Sequence, residues 1–205
     1  TTMSPLKSSL VAIGALATVI HAQSPESKPL GYQDTPIIPG TKWHVHDGER
    51  PQPQIISPGE NSTQASPGSA PSDAVVLFNG KDLSMWKNHS DGQPAWKVEN
   101  GNIEITAKRG SLTTASEYGP DIQLHIEWSA PQPASGTGQG RGNSGVLFFG
   151  KYEVQVLDSY ENKTYPDGQA GSLYGFMPPL VNVTRPPGAW NIYDIIFNGA
   201  RLEND

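Results

Sequence analysis

The chain has 205 residues, 22 of them glycine and 19 proline, with 35% hydrophobic and 17% charged residues. That is a turn-rich globular composition, and it excludes long helical bundles and membrane-embedded folds. A net charge of −6 and a pI near 5.3, with no basic stripe, exclude nucleic acid as a partner, and the lack of cysteine excludes disulfides, thiolate metal sites and a cysteine nucleophile.

After Met3 come Lys7, an apolar run from Leu10 to Ile20, and the small residue Ala22. A positive start, a short apolar core and a small exit residue describe a secretory signal peptide, with the cut after Ala22 or Ala17. Residues 1–22 are therefore expected to be an export signal, and the mature protein to be secreted or periplasmic. The run is too short for a membrane span, which takes about 20 apolar residues.

Residues 23–73 form a proline-rich arm and linker. Nine prolines between Pro25 and Pro71 forbid regular helix or central strand there. The tract from Gly59 to Ser72 is rich in Ser, Gly, Pro and Asn and is expected to be flexible. The part from Gly31 to Ile56 is more hydrophobic, with Trp43, Val45 and Ile55, and is expected to lie extended against a folded surface. It contains His44-Val45-His46-Asp47. Extended backbone would put both imidazoles on one side, where with Asp47 they could ligate a metal. The alternative is surface histidines before an Asp-Gly turn, and His-x-His alone favours that alternative.

From residue 74 the pattern becomes all-β. Ala74–Phe78 is a short apolar run ending at Asn79-Gly80. Trp96–Glu99 and Asn102–Thr106 flank Asn100-Gly101, the strongest short-range hairpin signal. Ser111–Thr114 reads as a short strand. Asp121–Trp128 alternates strictly, with Ile122, Leu124, Ile126 and Trp128 on one face. Pro131–Gly142 is a Gly/Ser loop, and Trp190–Phe197 is the last strand, before Asn198-Gly199. Only Ala200–Asp205 remain beyond that turn to pair with it, so residues 74–205 are expected to be a domain incomplete at its C-terminus. Short alternating strands separated by Gly/Pro turns indicate a two-sheet sandwich or jelly roll.

The most informative stretch runs from Gly142 to Tyr160, two strands joined at Gly150. In the second, Tyr152, Val154 and Val156 share one face, and Glu153 and Gln155 share the other. Asp158, Tyr160, Tyr165 and Asp167 come next, then the glycine-rich run Gly168–Gly175. Rings stack on the apolar faces of sugars while carboxylates and amides take their hydroxyls, so this is the composition of a sugar-binding surface. Asn143, Glu153 and Gln155 are expected on one face of one sheet with Glu127.

Several motifs carry a family resemblance. They are Leu77-Phe78-Asn79-Gly80-Lys81-Asp82-Leu83-Ser84-Met85-Trp86, Asn143-Ser144-Gly145-Val146, Tyr152 to Tyr160, Tyr165-Pro166-Asp167-Gly168-Gln169, and Arg185-Pro186-Pro187-Gly188-Ala189-Trp190 with Tyr193-Asp194. In this order they resemble the 3-keto-disaccharide hydrolase family over about residues 74–200. The resemblance implies a concanavalin A-like jelly-roll sandwich, secretion in bacteria, and an oxidised saccharide or glycoside as substrate. It also implies further strands beyond Asp205.

The chemistry implied has a physical logic. A ketone at C3 of a sugar makes the C2 proton acidic and places the glycosidic oxygen β to the carbonyl. A base removes that proton, the aglycone leaves, and water adds to the enone. The site then needs a general base and a group that holds the enolate oxygen, a job a divalent metal with oxygen ligands could do. Glu153 is the first candidate for base or metal ligand and Glu127 the second, with Asp158, Asn143 and Gln155 orienting the sugar or the metal. Tyr174 and Trp190 are candidate stacking platforms, and Arg185 a candidate grip on a hydroxyl.

Each candidate has a plainer alternative. Asp158 could cap a turn, Glu127 could be a solvated outer-face residue, Asn143 could be turn chemistry, and Trp190 could be core. The sequons at Asn61, Asn88, Asn162 and Asn182 carry no weight, the last two falling inside the motifs. A non-catalytic sugar-binding domain and an extracellular scaffold remain alternatives on the same fold.

Overall fold

The computed structural model describes residues 31, 33–52, 54–55, 59–90, 93–106 and 108–201. The expected export signal lies outside these residues. The chain divides into two compact units, one up to Ile55 and one from Ile56 onward.

In the first unit the arm does not run extended. It folds back on itself, with Ile37 bridged to His44, Ile38 N–H donating to Trp43 O at 2.9 Å and Val45 N–H to Pro36 O at 2.9 Å. His46 has φ +61°, which breaks the alternation that would set both imidazoles on one side. His44 Nδ1 is hydrogen-bonded to the Thr35 carbonyl. The Asp47 carboxylate accepts from Glu49 N–H at 2.9 Å, His44 N–H at 3.2 Å and Gln33 Nε2 at 2.6 Å. These bonds, that of Glu49 foremost, hold its carboxyl below the usual aspartate value. Asp47 therefore organises a turn, and the metal reading of His44 and His46 gains no support.

The second unit is all-β. Eight strands are described: β1 (Trp86–Asn88), β2 (Lys97–Glu99), β3 (Asn102–Glu104), β4 (Leu112–Thr114), β5 (Ile122–Ser129), β6 (Ser144–Phe148), β7 (Tyr152–Val156) and β8 (Trp190–Phe197). They pair antiparallel as β1–β4, β2–β3, β5–β8 and β6–β7. The only helical turns among the described residues are two single 3-10 turns, Gly138–Gly140 and Pro166–Gly168. Among them, too, no helix is long and apolar enough to cross a membrane.

Turn chemistry sets the registers. Asn100 and Gly101 take φ +51° and +77°, as a two-residue hairpin requires, and Glu99 pairs Asn102 across them. Phe149 and Gly150 do the same at +53° and +65° between β6 and β7. An aromatic residue is costly in that region, but the Phe149 ring is held against Phe197, with centroids 5.6 Å apart.

Phe148 and Tyr152 of the β6–β7 pair meet Phe197 of the β5–β8 pair. The Phe148 and Phe197 rings stack at 4.8 Å with 3° between their planes. Trp128 meets Tyr193 edge-on at 5.5 Å, and the Tyr193 hydroxyl donates to Gln155 O at 2.8 Å. Burial raises the Tyr193 hydroxyl pKa well above the usual tyrosine range. Because side chains alternate along a strand, this contact fixes every other face. Ile122, Leu124, Ile126 and Trp128 point inward, and Gln123, His125 and Glu127 point away from β6–β7.

Two expectations change. Ala74–Phe78 forms no strand, and Val75 and Val76 remain exposed. An apolar run is only a strand when a partner lies beside it; here Leu77 instead offers its carbonyl to Trp86 Nε1 at 2.7 Å. The Gly59–Ser72 tract is folded rather than flexible. Glu60 and Ser69 exchange backbone bonds of 3.1 and 3.0 Å, and Ser62 Oγ donates to Glu127 Oε1. Gln64 donates from Nε2 to Trp190 O at 2.9 Å and accepts Trp190 N–H on Oε1 at 2.8 Å, so its amide stands in for a neighbouring strand.

The same outer face carries a charge cluster. His125 Nδ1 lies 2.7 Å from Asp194 Oδ1, and Nε2 lies 3.3 Å from Glu127 Oε1. The bond to Asp194 is the main cause raising the His125 pKa, partial burial opposes it, and Glu127 adds to the rise. A raised folded pKa means the pairing stabilises fully below the ordinary histidine value of about 6.5, and is lost as pH rises through the folded value. The groups are largely exposed, so the effect on stability is small, about 0–1 kcal/mol. An NMR titration should find His125 titrating above an ordinary histidine, and Asp194→Asn should move it back down. An unchanged midpoint in that variant would mean Asp194 is not the partner in solution.

Candidate functional site

β7 is the strand on which the site is built. On one edge it pairs with β6, matching Gly145 to Gln155 and Leu147 to Glu153. On the other edge it pairs with the glycine-rich run. Gln155 N–H donates to Ser172 O at 3.0 Å, Gly171 N–H to Gln155 O at 2.9 Å, and Tyr174 N–H to Glu153 O at 3.0 Å. The face opposite Phe148, Val154 and Val156 therefore carries Gly145, Leu147, Glu153 and Gln155.

Glycine at 145 has a specific use. A Cβ there would run into the Glu153 carboxylate, so the missing side chain is what lets Glu153 lie across β6. Gln155 is fully buried and forms the floor. Its Nε2 donates to Gln139 Oε1 at 3.0 Å. Gln139 Nε2 in turn donates to Gly168 O at 2.8 Å and Thr164 Oγ1 at 3.1 Å. Asn143 Nδ2 completes the set with bonds to Gln139 O at 2.9 Å and Oε1 at 3.2 Å. Three amides thus orient one another, and one of them, Gln155, shares its face of β7 with Glu153. Gln155 Oε1 and Ser172 Oγ are buried with no hydrogen-bond partner among the described residues.

Aromatic rings stand at the rim. Tyr165 and Tyr174 hydroxyls are 2.6 Å apart and their rings meet edge-on at 6.2 Å. The bond to Tyr174 is the main cause pushing the Tyr165 pKa up to about 12. Tyr165 therefore stays a neutral hydroxyl, able to donate, at ordinary pH.

The structure divides the expected site residues. Asn143, Glu153, Gln155 and Tyr174 come together. Glu127 does not join them: it lies on the outer face of β5–β8, where His125 and Ser62 both bond its Oε1. The expectation of one shared face fails because alternation fixes faces within a strand, not which sheet a strand joins. Trp190 pairs with Ser129 on that same outer face, half-buried, its backbone held by Gln64. Arg185 lies in the loop before β8, its N–H donating to Asn191 Oδ1 at 2.9 Å. Its side chain shows no link to the Glu153 face.

Asp158 is placed as a brace. It is 1% exposed, pairs with Arg141 Nε at 2.7 Å, and accepts Tyr160 N–H on Oδ1 at 3.3 Å, the turn-capping alternative. Asn162 is buried as well, with Nδ2 donating to Asp158 O at 2.7 Å and Gly138 O at 3.0 Å. Gln139 was not a sequence candidate. A lone glutamine between Gly138 and Gly140, inside a glycine-rich loop, gives no periodic signal; its importance arises only from the approach of β7.

Among the described residues no three His, Asp or Glu side chains are grouped to ligate a metal. Gln155 and Tyr174, on the same face as Glu153, bring an amide and a phenol hydroxyl, groups suited to sugar hydroxyls.

The model of the 3-keto-alpha-glucoside-1,2-lyase-like domain matches residues 73–204. The chain belongs to this family. A curated relative named 3-keto-disaccharide hydrolase, from Bacteroides thetaiotaomicron, is 23% identical over 155 residues, covering 57% of this chain and 50% of the relative. The chain thus spans half the length of that curated relative. A crystal structure of a "putative glycosyl hydrolase" from Parabacteroides distasonis ATCC 8503, at 2.13 Å resolution, is 40% identical with a TM-score of 0.70. That match covers 82% of this chain and 71% of the solved one. It agrees with the all-β jelly-roll sandwich expected of the chain, and the stretches Asn143–Val146 and Tyr152–Tyr160 that carry the resemblance contain Asn143, Glu153, Gln155 and Asp158.

The brace can be tested directly. Arg141→Ala leaves Asp158 charged, buried and unpaired, which should cost about 3–5 kcal/mol in a denaturant titration. Adding Asp158→Asn should return part of that loss by removing the unpaired charge. A single variant costing under about 1 kcal/mol would mean the pair does not hold the loop.

Proposed function

We propose that the protein is a secreted or periplasmic hydrolase that cleaves glycosides or disaccharides carrying a ketone at C3. The observation that carries this reading is one carboxylate, Glu153, laid over Gly145 above an oriented amide floor and beside two exposed tyrosines. The names of the similar proteins support the same chemistry.

In the proposed reaction Glu153 takes the proton from C2 of the sugar, and the electron pair moves into a C2–C3 enolate. The enolate collapses, the C3 carbonyl re-forms, a C1–C2 double bond appears, and the C1–O bond breaks. The departing oxygen takes a proton and leaves as an alcohol. Water then adds to C1 of the enone while C2 is protonated, and the balance is hydrolysis without the oxocarbenium route of ordinary glycosidases. Of the Tyr165–Tyr174 hydroxyl pair only one proton lies between the two oxygens, and the other is suited to donate to the C3 oxygen as negative charge develops there. Asn143, exposed at the rim, is suited to take a sugar hydroxyl.

Glu153 is preferred over Glu127 as base for a physical reason. The Glu127 Oε1 already accepts from Ser62 and bonds His125, so it is engaged in the cluster on the outer face of β5–β8. A second reading, sugar binding without turnover, rests on the same amides and tyrosines, which are sufficient for binding alone.

Glu153→Gln in the full-length protein keeps the volume and removes the basicity. Turnover should fall about 10²–10⁴-fold while the thermal unfolding midpoint stays near that of the parent. Activity near wild type in this variant would place the base elsewhere. Only substrates with the C3 ketone should react, and deuterium from solvent should appear at C2. Equal cleavage of unoxidised glycosides without deuterium at C2 would rule out elimination, and tight binding with no turnover of any 3-keto glycoside would favour the binding reading.

Export is proposed from Lys7, the Leu10–Ile20 run and Ala22. Intact mass of exported protein should place the mature start near Gln23. Mature material that still contains Leu10–Ile20 would contradict a cleaved signal.

A further inference from the structure

Register puts three side chains in one row across the face that carries Glu153. On one edge of β7, Leu147 lies directly opposite Glu153. On the other edge Val154 bridges Leu173, and Tyr174 N–H donates to Glu153 O at 3.0 Å, so Tyr174 lies opposite Glu153 as well. Residues directly opposite in antiparallel strands share a face, so Leu147, Glu153 and Tyr174 project together. The Glu153 carbonyl turns toward Tyr174 and away from β6. Leu147 and Glu153 are therefore a pair without mutual backbone bonds, the kind whose side chains come closest.

The two flanks of Glu153 differ in chemistry. Tyr174 brings a phenol hydroxyl, 2.6 Å from that of Tyr165. Leu147 brings no polar atom and is 56% exposed, while the next residue of its strand, Phe148, is buried. The Glu153 carboxylate leans over Gly145, the position diagonal to it, and so leaves Leu147 open. Gln155, the partner of Gly145, marks the same end of the face, and the linked amides of Gln139 and Asn143 join it there. A single exposed leucine is ordinary on a protein surface. Its place directly across from a candidate base is what gives it a role.

The proposed reaction fixes how a sugar must lie on such a row. The carbon that loses its proton, C2, has to sit above the Glu153 carboxylate. Its ring neighbours are C3, whose oxygen gathers negative charge, and C1, which bears the departing group. The tyrosine pair can donate to the C3 oxygen, and Leu147 has nothing to donate. With C3 toward Tyr174, C1 and its oxygen lie toward Leu147. Two strand spacings separate Leu147 from Tyr174, about 9.5 Å, which leaves room between them for one ring.

We propose that Leu147 is a specificity-determining residue that packs against the group leaving from C1 and favours one that presents carbon rather than hydroxyl beside the glycosidic oxygen. The inference rests on the reading of Glu153 as the base and of the tyrosine pair as the contact of the C3 oxygen. Leu147 takes no part in proton transfer.

The test measures binding by calorimetry on the full-length Glu153→Gln protein, which should hold its ligand without turning it over. Three probes are used: the phenyl and methyl 3-keto-glucosides, and 1,5-anhydro-3-keto-glucitol, which has no group at C1. Adding Leu147→Ser should weaken the phenyl glycoside about tenfold, the methyl glycoside about twofold, and the anhydro sugar not at all. Adding Leu147→Met instead should keep the phenyl affinity. Leu147 is largely exposed, so neither substitution opens a cavity in the core, and the thermal unfolding midpoint checks this. An equal loss for all three probes would put Leu147 against the ring itself, and no loss for the phenyl glycoside would put it outside the site; either result overturns the proposal. If the wild-type protein then still cleaves the phenyl glycoside and Glu153→Gln does not, only the role of Leu147 falls. If no probe binds and the wild-type protein turns none of them over, the reading of the Glu153 face falls with it.

Discussion

The stack of Phe148 on Phe197 is the contact on which the rest depends. It brings the β6–β7 pair against the β5–β8 pair, and the period-two geometry of strands then leaves no freedom. With Phe148, Val154 and Val156 turned inward, Glu153 and Gln155 must turn outward. With Phe197 and Tyr193 turned inward, Glu127 and His125 must look the other way. Two polar faces result, on opposite sides of one apolar layer. The Tyr193 hydroxyl, reaching the Gln155 carbonyl, ties this layer to the strand that carries the site.

Much of this was legible in the sequence. Strict alternation located β5 and β8, and Asn100-Gly101 located a hairpin, because both signals are local and depend only on backbone preferences. The cluster of Asn143, Glu153, Gln155 and Tyr174 was legible for the same reason, since all lie on one hairpin and the run that pairs with it. What failed were the readings that needed distant partners. The Gly59–Ser72 tract looks flexible by composition, yet Ser62 and Gln64 anchor it on Glu127 and Trp190. Asp158 looks like a free acid until Arg141 arrives from a glycine-rich loop. Ala74–Phe78 has the composition of a strand and, among the described residues, no partner to make it one.

The two acid clusters also separate by their chemistry. On the outer face of β5–β8, Glu127, His125 and Asp194 satisfy one another, and Ser62 closes the set; such a cluster is a fastening between a loop and a sheet. On the β7 face the carboxylate of Glu153 is instead supported from below by amides that satisfy one another. Its position depends on a glycine that yields room.

Gln155 sharpens the distinction. A fully buried amide oxygen with no partner among the described residues would cost about 1–3 kcal/mol if nothing else met it, and so would Ser172 Oγ on the adjoining run. An apolar pair at these positions would avoid it, so stability alone does not account for them. What the glutamine does supply is a fixed link: through Gln139 it sets the orientation of Asn143, and through its backbone it joins β7 to Gly171 and Ser172. Removing it would loosen the amides beneath Glu153 and the run that carries Tyr174 at the same time. A polar floor kept at a cost in stability is what a site requires when its side chains must already be in place before the ligand arrives.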